Sequence, residues 1–106
     1  MRPRIISQTG VGTSVPFPVD WRQQNFQVSL ICEAVGTVTY TIEHTLDNII
    51  DGKLTTTPVW VPKSDLTGKT TTAEGSYLSP ITALRINVTA GTGTVNVRFV
   101  QQSGSD

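Results

Sequence analysis

A single all-β sandwich is the fold that this sequence predicts, and three observations predict it. Several stretches alternate apolar and polar residues with a period of two. Glycine, proline and other turn residues punctuate those stretches at short intervals, and no stretch of useful length carries a helical period. The chain has 106 residues, which suits one domain and is too short for two independent cores. The expected form is a jelly-roll-like sandwich of seven or so short antiparallel strands, with an open barrel as a variant.

The start of the chain, residues 1–9, reads as a flexible arm that orders on a partner. One or two short strands, broken by Gly10, Gly12, Pro16 and Pro18, belong to the region before Trp21. In FQVSLICEA, Phe26, Val28, Leu30, Cys32 and Ala34 share one face, and Gln27, Ser29, Ile31 and Glu33 share the other, as in a half-buried strand. After Gly36, TVTYTIEHTL sets Val38, Tyr40, Ile42, His44 and Leu46 against Thr37, Thr39, Thr41, Glu43 and Thr45. These two strands are expected to pair as a hairpin. Between about 47 and 80 most of the residues favour turns, and PVWVP is a short strand bracketed by prolines, which suits a sheet edge. Leu84, Ile86 and Val88 then oppose Ala83, Arg85, Asn87 and Thr89, and Val95, Val97 and Phe99 oppose Asn96 and Arg98, giving a second expected hairpin. VGTVTYTIE and TGTVNVRFV resemble each other, through either a repeated unit or shared turn chemistry. Residues 102–106, QSGSD, form a polar tail.

Charge and composition narrow the function. Eight basic residues balance eight acidic ones, so no excess of positive charge drives phosphate binding, and neither nucleic acid nor an anionic membrane is expected as the partner. The single cysteine, Cys32, cannot close an intrachain disulfide. Arg2 and Arg4 are not followed by the apolar stretch of about 7 to 15 residues that a signal peptide needs, and no apolar run nears the roughly 18 that cross a bilayer. A soluble chain made in the cytoplasm is the expectation.

No residue pattern of the chain assigns a catalytic, metal or cofactor role. His44, the only histidine, lies in phase with inward residues and has no identifiable nucleophile or orienting acid, so it is expected to be paired inside the sandwich or at its rim. One histidine and one cysteine cannot supply the four ligands of a structural zinc site. DNIIDG puts Asp47, Asp51 and Gly52 at the first, fifth and sixth positions of a calcium loop. Ile49 at the third and Pro58 at the twelfth break that pattern, and a plain loop is expected. GVGTS and GTGT precede neither a Lys-Ser/Thr pair nor a helix, and read as turns. Trp21 and Trp60 fit a core edge or an interface, with a sugar-stacking platform as the alternative. Seventeen threonines, many on outward strand positions, give a face that is polar without being charged and can meet another protein without desolvating many ions. The partner-contact candidates are Arg2, Pro3 and Arg4 in the arm, Trp21, Trp60, and the outward Arg85 and Arg98.

YTIEHTLDNIIDG, TPVWVP and LTGKTTTAEGSYLSPITALRINVTAGTGTVNVRFVQ together resemble small structural proteins of tailed bacteriophages encoded among head genes. The likeness covers roughly residues 10–101. It rests on a strand ending in Thr-Leu-Asp, on Thr-Pro-x-Trp, and on Pro-Ile-x-Ala-Leu-Arg-Ile-Asn-Val before Gly-Thr-Val. The resemblance implies a non-enzymatic virion protein, above all a capsid decoration (cement) protein on the outer surface of the phage head, synthesised in the host cytoplasm. Its partners would be the major capsid protein and itself, as a homo-oligomer, either dimer or trimer, with no cofactor. The alternatives are a carbohydrate-binding or structural module of a head fibre, neck or tail, and a small hydrolase.

The alternation sets an expectation for stability. Ile86→Ala should cost about 2 to 4 kcal/mol and Val97→Ala somewhat less, whereas Thr39→Ala on the outer face should cost at most about 0.5 kcal/mol. Urea unfolding of the three variants measures the contrast, and equal losses would mean that the inward and outward faces are misassigned.

Overall fold

The computed structural model describes residues 4–19, 27–47, 58–78 and 81–101. Within them the chain forms β1 (Arg4–Thr9), β2 (Gly12–Thr13), β3 (Phe17–Pro18), β4 (Val28–Val35), β5 (Val38–Thr45), β6 (Trp60–Pro62), β7 (Ala73–Tyr77), β8 (Ala83–Gly91) and β9 (Thr94–Gln101). A single 3-10 turn, Ser64–Leu66, precedes β7. The strands make two antiparallel sheets: the first has the order β1-β9-β4-β7, and the second the order β2-β8-β5-β6, with β3 also paired to β8. The expected all-β sandwich is therefore what the chain forms. No helix of the described residues is long and apolar enough to cross a membrane.

Alternation explains which residues meet between the sheets. Val28, Leu30 and Cys32 of β4, with Val95, Val97 and Phe99 of β9, face Val38, Tyr40 and Ile42 of β5 and Leu84, Ile86 and Val88 of β8, all of them buried. Their dense apolar contact is the main stabilising term of a fold this small. Phe17 meets Phe99 edge-to-face, with ring centroids 4.7 Å apart. Tyr40 spans the core and donates its hydroxyl to the Thr71 carbonyl at 2.8 Å; burial pushes its phenol up to about 12. Burial likewise pushes the Cys32 thiol up to about 12, so it acts as a small core hydrophobe.

Neither expected hairpin exists. β4 pairs with β7 and β9, while β5 pairs with β6 and β8. β8 and β9 also lie in different sheets. The physical reason is that Gly36–Thr37 and Gly91–Gly93 carry the chain across the gap between the sheets instead of reversing it within one. The two crossings stack on each other. The Gly93 amide donates to the Thr37 carbonyl at 2.9 Å, and the Gly10 amide donates to the Gly93 carbonyl at 3.0 Å. A Cβ on Gly91, whose φ is +94°, would lie 2.3 Å from the Thr37 carbonyl oxygen; one on Gly93 would lie 2.4 Å from that of Val35. The resemblance between VGTVTYTIE and TGTVNVRFV thus marks two equivalent crossings.

Other expectations also change. Arg4–Thr9, assigned to a flexible arm, is strand β1 and pairs with β9 from Arg4↔Phe99 to Thr9↔Thr94, because Ile6 reaches the core edge opposite Val97. Ala73–Tyr77, read among turn residues, is the edge strand β7. Leu46, expected inward, is 70% exposed, because β5 ends at Thr45 and the chain turns there. Thr41 and Thr45, expected outward and exposed, are buried, since their hydroxyls hold adjoining loops. Thr41 accepts from the Gly68 amide and Thr45 from the Asp47 amide. PVWVP supplies β6 at the edge of the second sheet, as its prolines require. The Asp51, Gly52 and Ile49 positions of the calcium-loop comparison, Phe26, and the tail at 102–106 lie outside the described residues.

The stacked crossings generate a prediction. Gly91→Ala should destabilise the fold by about 2 kcal/mol or more, since both its backbone conformation and a backbone oxygen oppose a methyl group. Gly68→Ala, at φ +64° with no atom within 4 Å of the added carbon, should cost only about 1 kcal/mol. Chemical denaturation of both variants measures the difference.

Candidate functional site

Three clusters of polar and aromatic side chains stand on this scaffold: one on each outer sheet face and one at the rim between the sheets. On the second sheet, register places Glu43 opposite Arg85 and Thr41 opposite Asn87. The Arg85 Nε donates to Glu43 Oε1 at 2.7 Å and Asn87 Nδ2 to Glu43 Oε2 at 3.3 Å, so one carboxylate is held by two donors. β6 adds Trp60, and the Arg85 guanidinium lies 4.3 Å from its ring centroid. Two of the contact candidates are therefore brought together. The Arg85 side chain is 23% exposed, much of its charge being used within the sheet.

The outer face of the first sheet is more open. Glu33 Oε1 accepts from Arg98 Nη1 at 3.1 Å and from Asn96 Nδ2 at 3.2 Å, which holds its carboxyl below the usual range. Ser7 donates to Asn96 Oδ1 at 2.7 Å, extending the polar row to β1. Exposed Ile5, Ile31 and Val100 surround Arg98. A groove of about 560 Å³ lies along this face, lined by Arg98 and Val100 of β9, Ser29 and Ile31 of β4, and Glu74 and Ser76 of β7. The Arg98 side chain is 54% exposed and available to a partner.

At the rim, His44 projects from the inner face of β5, and its Nδ1 lies 2.9 Å from the Tyr77 hydroxyl of β7, with the rings edge-to-face at 5.2 Å. The pairing expected for His44 is thus the one it makes. Lys63 Nζ sits 5.0 Å from the centre of the Tyr77 ring and pairs with Asp65 at 2.5 Å. Desolvation first, then the Lys63 charge, holds the imidazole below its ordinary 6.5. Beside this cluster, Asp47 closes the base of the β5–β6 connection. Its Oδ2 accepts from the Val59 amide at 2.8 Å, and the Thr82 hydroxyl lies 2.5 Å from the Asp47 carbonyl and 2.9 Å from that of Thr45. Asp47 therefore does structural work in the described part of the motif compared with a calcium loop. No group of three or more His, Cys, Asp or Glu among the described residues is arranged to hold a metal ion.

Of the remaining candidates, Arg4 is exposed at the start of β1, while Arg2, Pro3 and Trp21 lie outside the described residues. Sequence reasoning did not single out Ile5, Ile31, Val100 or Glu74. For Ile31 a signal was present, since an isoleucine in phase with Gln27, Ser29 and Glu33 is an apolar residue on a polar face. Comparison of the chain with protein-family models, curated proteins and solved structures found no match in any of the three.

The rim cluster sets a pH dependence. The folded state holds His44 below its unfolded value, so the unfolded chain takes up the proton first. Stability is full above about pH 6.5 and falls as pH drops through the window below it. With a single histidine in the chain the assignment is direct. His44→Gln should flatten the unfolding midpoint between about pH 7 and 5, where the parent protein loses stability. Glu33 and Asp65, both lowered in the folded state, act only below their ordinary 4.5 and 3.8.

Proposed function

We propose that this chain is a non-enzymatic structural protein of a bacteriophage virion. In this reading it decorates the outer surface of the head and, as a homo-oligomer, bridges neighbouring major capsid protein subunits. The observation that carries it is the condition of the outer faces. Their main charges are already paired within the sheet, Glu43 with Arg85 and Glu33 with Arg98. Such faces can be covered by protein without stranding ions, and Ile5, Ile31 and Val100 add apolar area. The sequence resemblance to phage head proteins points the same way.

The strand order supports a finer reading of the sandwich as a jelly roll. With the two-residue β3 set aside and the other eight strands renumbered in order, the sheets read 1-8-3-6 and 2-7-4-5. Every connection crosses between the sheets except the fourth to fifth strand. Eight strands in two Greek-key sheets recur in capsid and lectin domains, which is analogy at the level of fold alone. Each copy would contribute modest contacts, and the symmetry of the shell would multiply them through avidity.

Electron microscopy of phage heads incubated with the purified protein tests the reading. The expected density lies at quasi-equivalent positions over the shell. Density at one vertex would reassign the protein to neck or tail, and absence of binding would overturn decoration. Because few unpaired charges are offered, binding should change less than about tenfold between about 50 and 200 mM salt, against a thousandfold or more for a phosphate-binding protein.

A further inference from the structure

We infer that the outer face of the first sheet is a self-association surface, on which two copies of this chain meet about a twofold axis running along β4 above Ile31. Register sets one row across this face in the order Ile5, Arg98, Ile31, Glu74, on β1, β9, β4 and β7. Arg98 and Glu74 therefore flank Ile31 on opposite sides, about 10 Å apart at two strand spacings. Glu74 is exposed and makes no ion pair with any described residue, whereas the charges of the second sheet's face satisfy each other.

A twofold axis parallel to the strands exchanges left and right across the row. Arg98 of one copy then lies over Glu74 of the other, twice per dimer, with Ile31 against Ile31 on the axis. An axis perpendicular to the strands would instead set Arg98 over Arg98, so charge selects the first arrangement. Glu33 lies near the chosen axis, but its carboxylate is held toward β9 by its own Arg98 and Asn96. The groove beside Ile31 provides a concavity for the apolar side chains of the second copy. A molecule extending 38 × 34 × 21 Å has a broad face large enough for the roughly 800 Å² per partner of a standard interface. The inference deepens the proposed self-association and does not depend on attachment to a capsid.

Sedimentation analysis of the full chain at about 100 μM tests it by charge exchange. The parent protein should be dimeric, and Arg98→Glu and Glu74→Arg should each dimerise at least about tenfold more weakly, because each faces like charges. An equimolar mixture of the two variants should recover the dimer, since every row then pairs opposite charges again. Ile31→Lys, which removes neither partner of the Glu33–Arg98 pair, should also be monomeric and keeps the test decisive if either charge variant fails to fold. A monomeric or trimeric parent, single variants that dimerise as tightly as the parent, or a mixture that stays monomeric would overturn the inference. A dimer that binds no phage head leaves it standing and overturns decoration; a monomer that decorates heads overturns self-association and leaves attachment to the head standing.

Discussion

The rest of the sandwich depends on the backbone contact between its two stacked crossings, Gly36–Thr37 and Gly91–Gly93. These segments approach closely enough that no side chain fits at Gly91 or Gly93. That contact fixes two registers together: Val35 opposite Thr94 in the first sheet and Val38 opposite Gly91 in the second. Because a slip of one residue turns a strand's inward set outward, the core of β4, β5, β8 and β9 is specified from this one end. A bulge between Thr39 and Tyr40 leaves Thr89 unmatched on β8. It restores the inward phase of Tyr40 and Val88 while both Thr89 and Ala90 stay exposed.

Strands were legible in the sequence where one face is packed and the other solvated. Val28, Leu30 and Cys32, or Val95, Val97 and Phe99, announce themselves by alternation alone. Their partners were not legible, because an inward-facing strand has the same pattern whichever sheet it joins. Glycine between two such strands signals a change of direction, and its sequence is the same for a hairpin and for a crossing between layers. β7 escaped notice for a different reason. Its inward positions are Ala73, Gly75 and Tyr77, and Leu66 from the 3-10 turn fills the space at Gly75. The apolar volume for that strand is thus supplied by another segment.

The polar clusters follow a similar division. Arg85 could be marked as outward and Trp60 as belonging to a core edge or an interface, yet their stacking depends on β6 lying beside β5, which no local pattern reveals. His44 was recognisable as an inward histidine, while its partner Tyr77 belongs to the opposite sheet. Threonine was the most misleading residue type. Thr39 and Thr89 coat the outside, but Thr41, Thr45 and Thr82 are buried staples whose hydroxyls fasten loops to strand ends. Composition cannot separate these roles, since Thr39, Thr41 and Thr45 all put a hydroxyl on the outer side of the same strand.

Pairing of β1 with β9 has a consequence for how the molecule comes into being. Ser7 and Asn96 bond across 89 residues of chain, so β1 finds its place only after β9 has been synthesised. The central pairs β4–β9 and β5–β8 also join distant segments, which puts the fold among slow-forming, high-contact-order topologies. Until β9 arrives, β1 and β4 present open edges to any neighbouring nascent chain. During synthesis, the emergence of β9 is therefore the event that permits closure of the first sheet.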